Sequence, residues 1–191
     1  MFWRRSTAIR VLWITAGLWL SMRLPVHAAD DAGKFAKWEK SIAAFEEADQ
    51  KHPPVKGDIL FVGSSSIRMW DVAKSFAELP VVNRGFGGSQ IEDSTHFVER
   101  IIGSHEPRAI VFYAGDNDIG SGKSAETVAS HFEQFVAKVR GKLPETQIFF
   151  IAIKPSGSRW KHIETQQAAN AKIRSFCERG PKLTFVDVVP P

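Results

Sequence analysis

Three short loops carry the residues in this sequence whose types and spacing suit chemistry. The first is Gly63-Ser64-Ser65-Ser66-Ile67-Arg68, between an apolar run and a helical pattern. A hydroxyl at a strand-to-helix turn lies where backbone N–H groups converge, which suits stabilisation of an oxyanion. The same serine also suits a helix N-cap that only satisfies orphan donors. Ile67 fills the last glycine position of a G-x-S-x-G elbow, so that nucleophile motif is excluded. The second loop, Asn83-Arg84-Gly85-Phe86-Gly87-Gly88-Ser89, has three glycines that let backbone approach a ligand closely or make a tight turn. Gln90 stands where a dinucleotide fingerprint needs glycine. The third loop, Gly115-Asp116-Asn117-Asp118, offers a side-chain amide that can donate to a developing oxyanion, or an Asx-type turn.

Positioning these loops requires strands that end where they begin. Short apolar runs at Ile59 to Val62, Val81 to Val82, Ala109 to Tyr113, Gln147 to Ile153 and Leu183 to Val189 read as five strands. Helical patterns over 68–78, 90–103, 124–141 and 161–179 separate them, and Phe35, Trp38, Ile42 and Phe45 predict an amphipathic helix over 33–50. Strands alternating with helices imply one α/β domain with a parallel sheet covered on both faces. Function in such sheets sits in the loops at the strands' carboxyl ends. A fourth such loop is Lys154-Pro155-Ser156-Gly157-Ser158-Arg159-Trp160.

Several other functions are excluded by spacing or charge. Gly120-Ser121-Gly122-Lys123-Ser124 resembles a phosphate loop, but Asn117 stands where its first glycine should be. No His, Cys, Asp or Glu cluster has metal-ligand spacing, so no metal or cofactor is expected. The formal net charge of +4 comes from the first 28 residues, which hold four arginines and no acid. The remainder balances 21 basic against 21 acidic residues, which gives no footprint for nucleic acid. Those 28 residues combine Arg4, Arg5 and Arg10 with the apolar run Val11 to Met22 and Val26-His27-Ala28. That is the layout of a cleaved secretory signal, too short to span a bilayer. Export to the periplasm or medium is therefore expected, with no stable membrane anchor after cleavage. Residues 29–55 then supply an N-terminal helix, and 56–191 the domain proper. The single cysteine, Cys177, permits no internal disulfide and reads as core.

Taken together, the three loops resemble the SGNH hydrolases of the GDSL-like esterase/lipase superfamily. Gly63-Ser64-Ser65 matches the Gly-Asp-Ser block with Ser64 in place of Asp, and serines on both sides of Ser65 leave a one-residue ambiguity. Gly85-Phe86-Gly87-Gly88 matches Gly-x-Gly-Gly, and Gly115-Asp116-Asn117-Asp118 matches Gly-x-Asn-Asp. The resemblance implies a flavodoxin-like three-layer αβα sandwich around a five-stranded parallel sheet. It implies a serine esterase acting on short acyl esters, such as acetylated carbohydrate or lysophospholipid-like molecules. Ser65 is then the nucleophile, with the Ser65 N–H, the Gly88 N–H and the Asn117 side chain around the oxyanion. Ser64, Asp118, Ser156, Arg159 and Trp160 would contact substrate, Arg159 through a carboxylate or phosphate. Trp160 reads equally as a cover for the core.

The family's fifth block, Asp-x-x-His, supplies the base that activates Ser. It is expected after the last strand, beyond Pro191, so the sequence reads as stopping short of it. Asp49-Gln50-Lys51-His52 has the spacing but precedes the first strand, at the opposite edge of the sheet. His96, His105, His131 and His162 lie in or beside helical patterns, where helix surface is the default expectation. A non-catalytic ligand-binding protein on the same fold is the alternative reading.

Overall fold

The computed structural model describes residues 33–188. The signal-like segment therefore lies outside the described residues. A 3-10 turn, Ala36–Trp38, leads into α1 (Glu39–Lys51). There follow β1 (Ile59–Gly63), α2 (Ser65–Arg68), α3 (Val72–Ser75) and β2 (Val81–Gly85). Next come α4 (Ile91–His96), α5 (Val98–Ile101), β3 (Ala109–Tyr113), α6 (Asp116–Gly120) and α7 (Ala125–Arg140). β4 (Gln147–Ile151), a 3-10 segment (Gly157–His162), α8 (Ile163–Arg179) and β5 (Leu183–Val186) complete the fold.

The five strands are parallel in the order β2-β1-β3-β4-β5, the flavodoxin-like arrangement. The chain reverses direction across the sheet between β2 and β3. Right-handed crossovers then send the β1-to-β2 connection to one face and the other three to the opposite face. On the crowded face Leu60, Val62, Ile110, Phe112, Ile148 and Phe150 pack against α1, α4, α5, α7 and α8. Phe132 and Phe135 of α7 close on Phe112, with ring centroids 5.8 and 4.3 Å away. On the other face Phe61 and Tyr113 meet Ile67 of α2 and Val72 of α3. Cys177 is buried in α8, and that burial, with Glu178 beside it, pushes its thiol up to about 11, as suits a core residue.

Two expected helices prove to be broken into short turns. The 68–78 pattern holds only α3, which Asp71 starts by accepting from the Lys74 N–H at 3.0 Å, while α2 ends at Arg68. The 90–103 pattern breaks at Phe97, whose φ and ψ of −91° and 8° leave the helical well. The strand over 147–153 is shorter than its apolar pattern, because Ile153 N–H turns to the Asn170 side chain at 2.9 Å. α6 falls where only a turn was expected.

Candidate active site

The register of the sheet brings the first three loops to one edge. Gly63, the last residue of β1, pairs with Gly85 of β2 and with Tyr113 of β3. All three loops leave the same row, at the crevice where the strand order reverses.

Gly63 makes the first of these turns possible. Its φ is +144°, and a Cβ there would stand 1.9 Å from the Tyr113 carbonyl oxygen. The chain turns at once into α2. Ser64 N–H donates to that same Tyr113 oxygen at 3.0 Å, and the Arg68 and Met69 N–H groups close back onto Ser64 and Ser65 carbonyls. Ser65 is thus the first residue of α2 and is partly buried, like Ser66. Ser64 is fully buried. Burial does not fit the expectation that Ser64 contacts substrate; its place is the floor of the turn.

The glycine loop is stitched to the first. Phe86 N–H donates to the Gly63 carbonyl at 2.9 Å, and Ser89 Oγ reaches the same oxygen at 3.4 Å. Asn83 donates from Nδ2 to the carbonyls of Ile67 and Trp70, at 2.7 and 3.0 Å, and accepts the Gly85 N–H at 2.8 Å. A Cβ at Gly85 would press on Arg68 N at 2.3 Å, so β2 can approach α2 only with glycine there. Gly88 has φ +79° and is exposed, with Trp38 3.4 Å from where its Cβ would stand. Trp38 also packs edge-on against Phe86, centroids 5.4 Å apart. The N-terminal 3-10 turn therefore forms a wall of the crevice. Its amphipathic spacing identified it only as a packed helix, so sequence reasoning missed this contribution.

Asn117 is fixed at both ends. Its Nδ2 donates to the Ser89 carbonyl at 2.9 Å, and its Oδ1 accepts from Arg159 at 2.7 Å. The other arm of Arg159 donates to Asp116 at 2.6 Å. The guanidinium expected to await a substrate anion is thus engaged by residues of the third loop. Tyr113 lies beneath them. Burial, reinforced by the Asp116 charge, pushes its phenol up to about 12.

Asp118 is fully buried and so does not fit an expected contact with substrate. It accepts the Ile91 N–H at 3.2 Å, serving the start of α4, and lies 3.5 Å from Lys123 and 3.6 Å from His131. Burial raises its carboxyl pKa despite the Lys123 ammonium beside it. Lys123, the lysine of the phosphate-loop-like run, donates to Glu92 at 2.7 Å. Ser156 is partly buried, with its Oγ 3.4 Å from that of Ser158. Trp160 is 63% exposed and does not cover the core.

The histidines divide by position. His105 is buried rather than on a helix surface, its Nδ1 2.6 Å from Asp58. Asp49 pairs with Arg84, and His52 follows α1 at the amino-terminal side of the sheet. His96 stacks on Phe35 at 3.8 Å, and His131 faces Asp118. His162 precedes α8, next to the fourth loop. Among the described residues no group of three or more His, Cys, Asp or Glu is placed to hold a metal ion. No described helix is long and apolar enough to cross a membrane.

Comparison with known proteins agrees with this geometry. The GDSL-like Lipase/Acylhydrolase family model matches residues 65–191. Comparison with curated proteins finds no match. A solved structure described as a platelet activating factor from Streptococcus pneumonia superposes with a TM-score of 0.69 at 20% identity, covering 86% of this chain and 82% of that one. A GDSL-like lipase from Bacteroides thetaiotaomicron gives 0.63 at 16% identity, covering 80% and 77%. A carbohydrate esterase family 3 protein from Talaromyces cellulolyticus gives 0.55 at 17% identity, covering 70% and 79%. At these identities the likeness is one of fold.

Proposed function

Because this chain belongs to the GDSL-like lipase/acylhydrolase family, whose members hydrolyse esters, we propose that it is a serine esterase of short acyl esters working through an acyl-enzyme. The observation that carries this reading is the pairing of Gly63 with both Gly85 and Tyr113. That row gathers the Ser65, Gly88 and Asn117 loops at one crevice.

In this reading Ser65 Oγ attacks the ester carbonyl, and the tetrahedral oxyanion accepts N–H groups of Ser65 and Gly88 and the Asn117 amide. Collapse expels the alcohol and leaves the acyl group on Ser65, which water then removes. Each such donor contributes about 3 kcal/mol to the transition state. A general base takes the Ser65 proton during the attack and passes it to the leaving alcohol. Trp160 and Ser156 contact the substrate beyond the reacting carbon. The Trp38 side chain beside Gly88 narrows the crevice and favours a small acyl group, such as acetate on carbohydrate. The signal-like first 28 residues support export to the periplasm or the medium.

The test is labelling of the protein with a fluorophosphonate serine probe. An adduct on Ser65, lost in Ser65→Ala, is the expected result. A folded protein that takes no label would overturn the acyl-enzyme reading in favour of a ligand-binding member of the fold.

A further inference from the structure

Asn117 is keyed by chemistry at both ends. Arg159 has only donors, so the Asn117 atom 2.7 Å from it must be the carbonyl oxygen. The Ser89 carbonyl only accepts, so the atom 2.9 Å from it must be the amide nitrogen. A carboxamide left to itself can rotate or flip; this one has a single orientation. One N–H of Nδ2 goes to Ser89, and the second remains able to donate to another acceptor.

The guanidinium is itself held. Its second arm donates to Asp116 at 2.6 Å, and both side chains are mostly shielded, 30% and 16% exposed. Gly120 makes room for it: a Cβ there would stand 3.2 Å from Arg159 Nε. Both contacts reach across 42 or 43 residues, from the loop after β4 to the loop after β3.

We propose that Arg159 is a positioning residue that acts through Asn117, fixing its amide N–H toward the oxyanion, rather than a residue that binds substrate charge. The proposal rests on the esterase reading for its consequence, though not for its geometry. A cation on Oδ1 also polarises the carboxamide and strengthens its N–H as a donor. Lysine could not replace arginine fully, because one ammonium cannot reproduce the planar fork that meets Asp116 and Asn117 together.

Two measurements on the full-length protein decide it. The first is hydrolysis of p-nitrophenyl acetate by the wild type, Arg159→Met, Asn117→Ala and the double variant. Deleting the Asn117 donor should cost about 10²–10³ in kcat. Arg159→Met should lower kcat about tenfold with KM within about twofold, and should cost nothing more once Asn117 is gone. Arg159→Lys should fall between. A raised KM with kcat unchanged, or losses that multiply in the double variant, would show that Arg159 binds substrate instead.

The second measurement needs no turnover. The Asn117 side-chain amide signals of ¹⁵N-labelled protein are identified by their loss in Asn117→Ala. Arg159→Met should shift them and speed their exchange with water about tenfold or more, as the anchored amide is released. Unchanged signals would overturn the proposal even in an active enzyme. Absence of Ser65-dependent hydrolysis would instead remove the esterase reading and leave the amide signals to judge the positioning.

Discussion

His105 places Nδ1 2.6 Å from Oδ2 of Asp58, with both side chains almost fully buried. Arg84 lies 2.7 Å from the other ring nitrogen and pairs with Asp49 of α1. The same Nε2 lies 3.3 Å from Oδ2 of Asp49, so the ring bridges two carboxylates and the guanidinium. Asp58 immediately precedes β1, so this cluster ties α1, β2 and the segment before β3 together at the amino-terminal end of the sheet. Removing one partner of a buried pair leaves the other uncompensated. Asp58→Ala should therefore cost about 3 kcal/mol in urea unfolding, while Ser65 labelling of the folded fraction stays unchanged. A variant as stable as the wild type would show that the cluster holds nothing together.

Glu92 sets a limit on acid stability. Burial opposes its ionisation, but hydrogen bonds from Lys123 and Lys34 outweigh that and bring its carboxyl down to about 2. A depressed carboxylate stabilises the fold above its ordinary value of 4.5, and that stability is lost as pH falls toward 2. The melting temperature of the wild type should therefore drop more steeply than that of Glu92→Gln between pH 4.5 and pH 2. Parallel curves for the two proteins would mean that the lysines contribute nothing through Glu92.

Gly63 is the position where the turn tolerates no side chain. Gly63→Ala would add a positive-φ strain to a collision with backbone that β3 cannot move aside. Its expected cost is about 3 kcal/mol or more, read from chemical denaturation, with loss of Ser65 labelling even in the folded fraction. An alanine variant that folds and labels normally would contradict the close approach of β1 to β3.

Trp160 separates binding from stability. At 63% exposure it contributes little to the core, so Trp160→Ala should change stability by no more than about 0.5 kcal/mol. In the esterase reading KM should rise as the exposed ring no longer packs on substrate. A large fall in melting temperature would return Trp160 to the role of core cover.

The strands and loops were legible in the sequence because each signal is local. A run such as Ala109 to Tyr113 buries on both faces, and glycine clusters mark where backbone must come close. The three motif loops were therefore found before any geometry, and the order of the elements implied a parallel sheet. The breaks in the helical patterns are not legible, because apolar spacing continues across Trp70-Asp71 and Phe97, where a cap and backbone angles end the helix. Residue type alone also says nothing of the full burial of Ser64 and Asp118. Both are polar and sit inside matched motifs, but burial depends on what packs over them from β3, α4 and α7.

Sequence by itself determined the residue types at the strand ends: a serine after Gly63, three glycines after β2, and an asparagine between two acids after β3. It also determined the family, because those types occur in one order. Only the tertiary structure decided their partners. Arg159 lies 42 residues from Asn117, and His105 lies 47 from Asp58, so neither pairing leaves a local pattern. Such contacts are made by the crossover of strands, which brings distant loops to one edge and lets a hydrogen bond choose between a substrate and a neighbour.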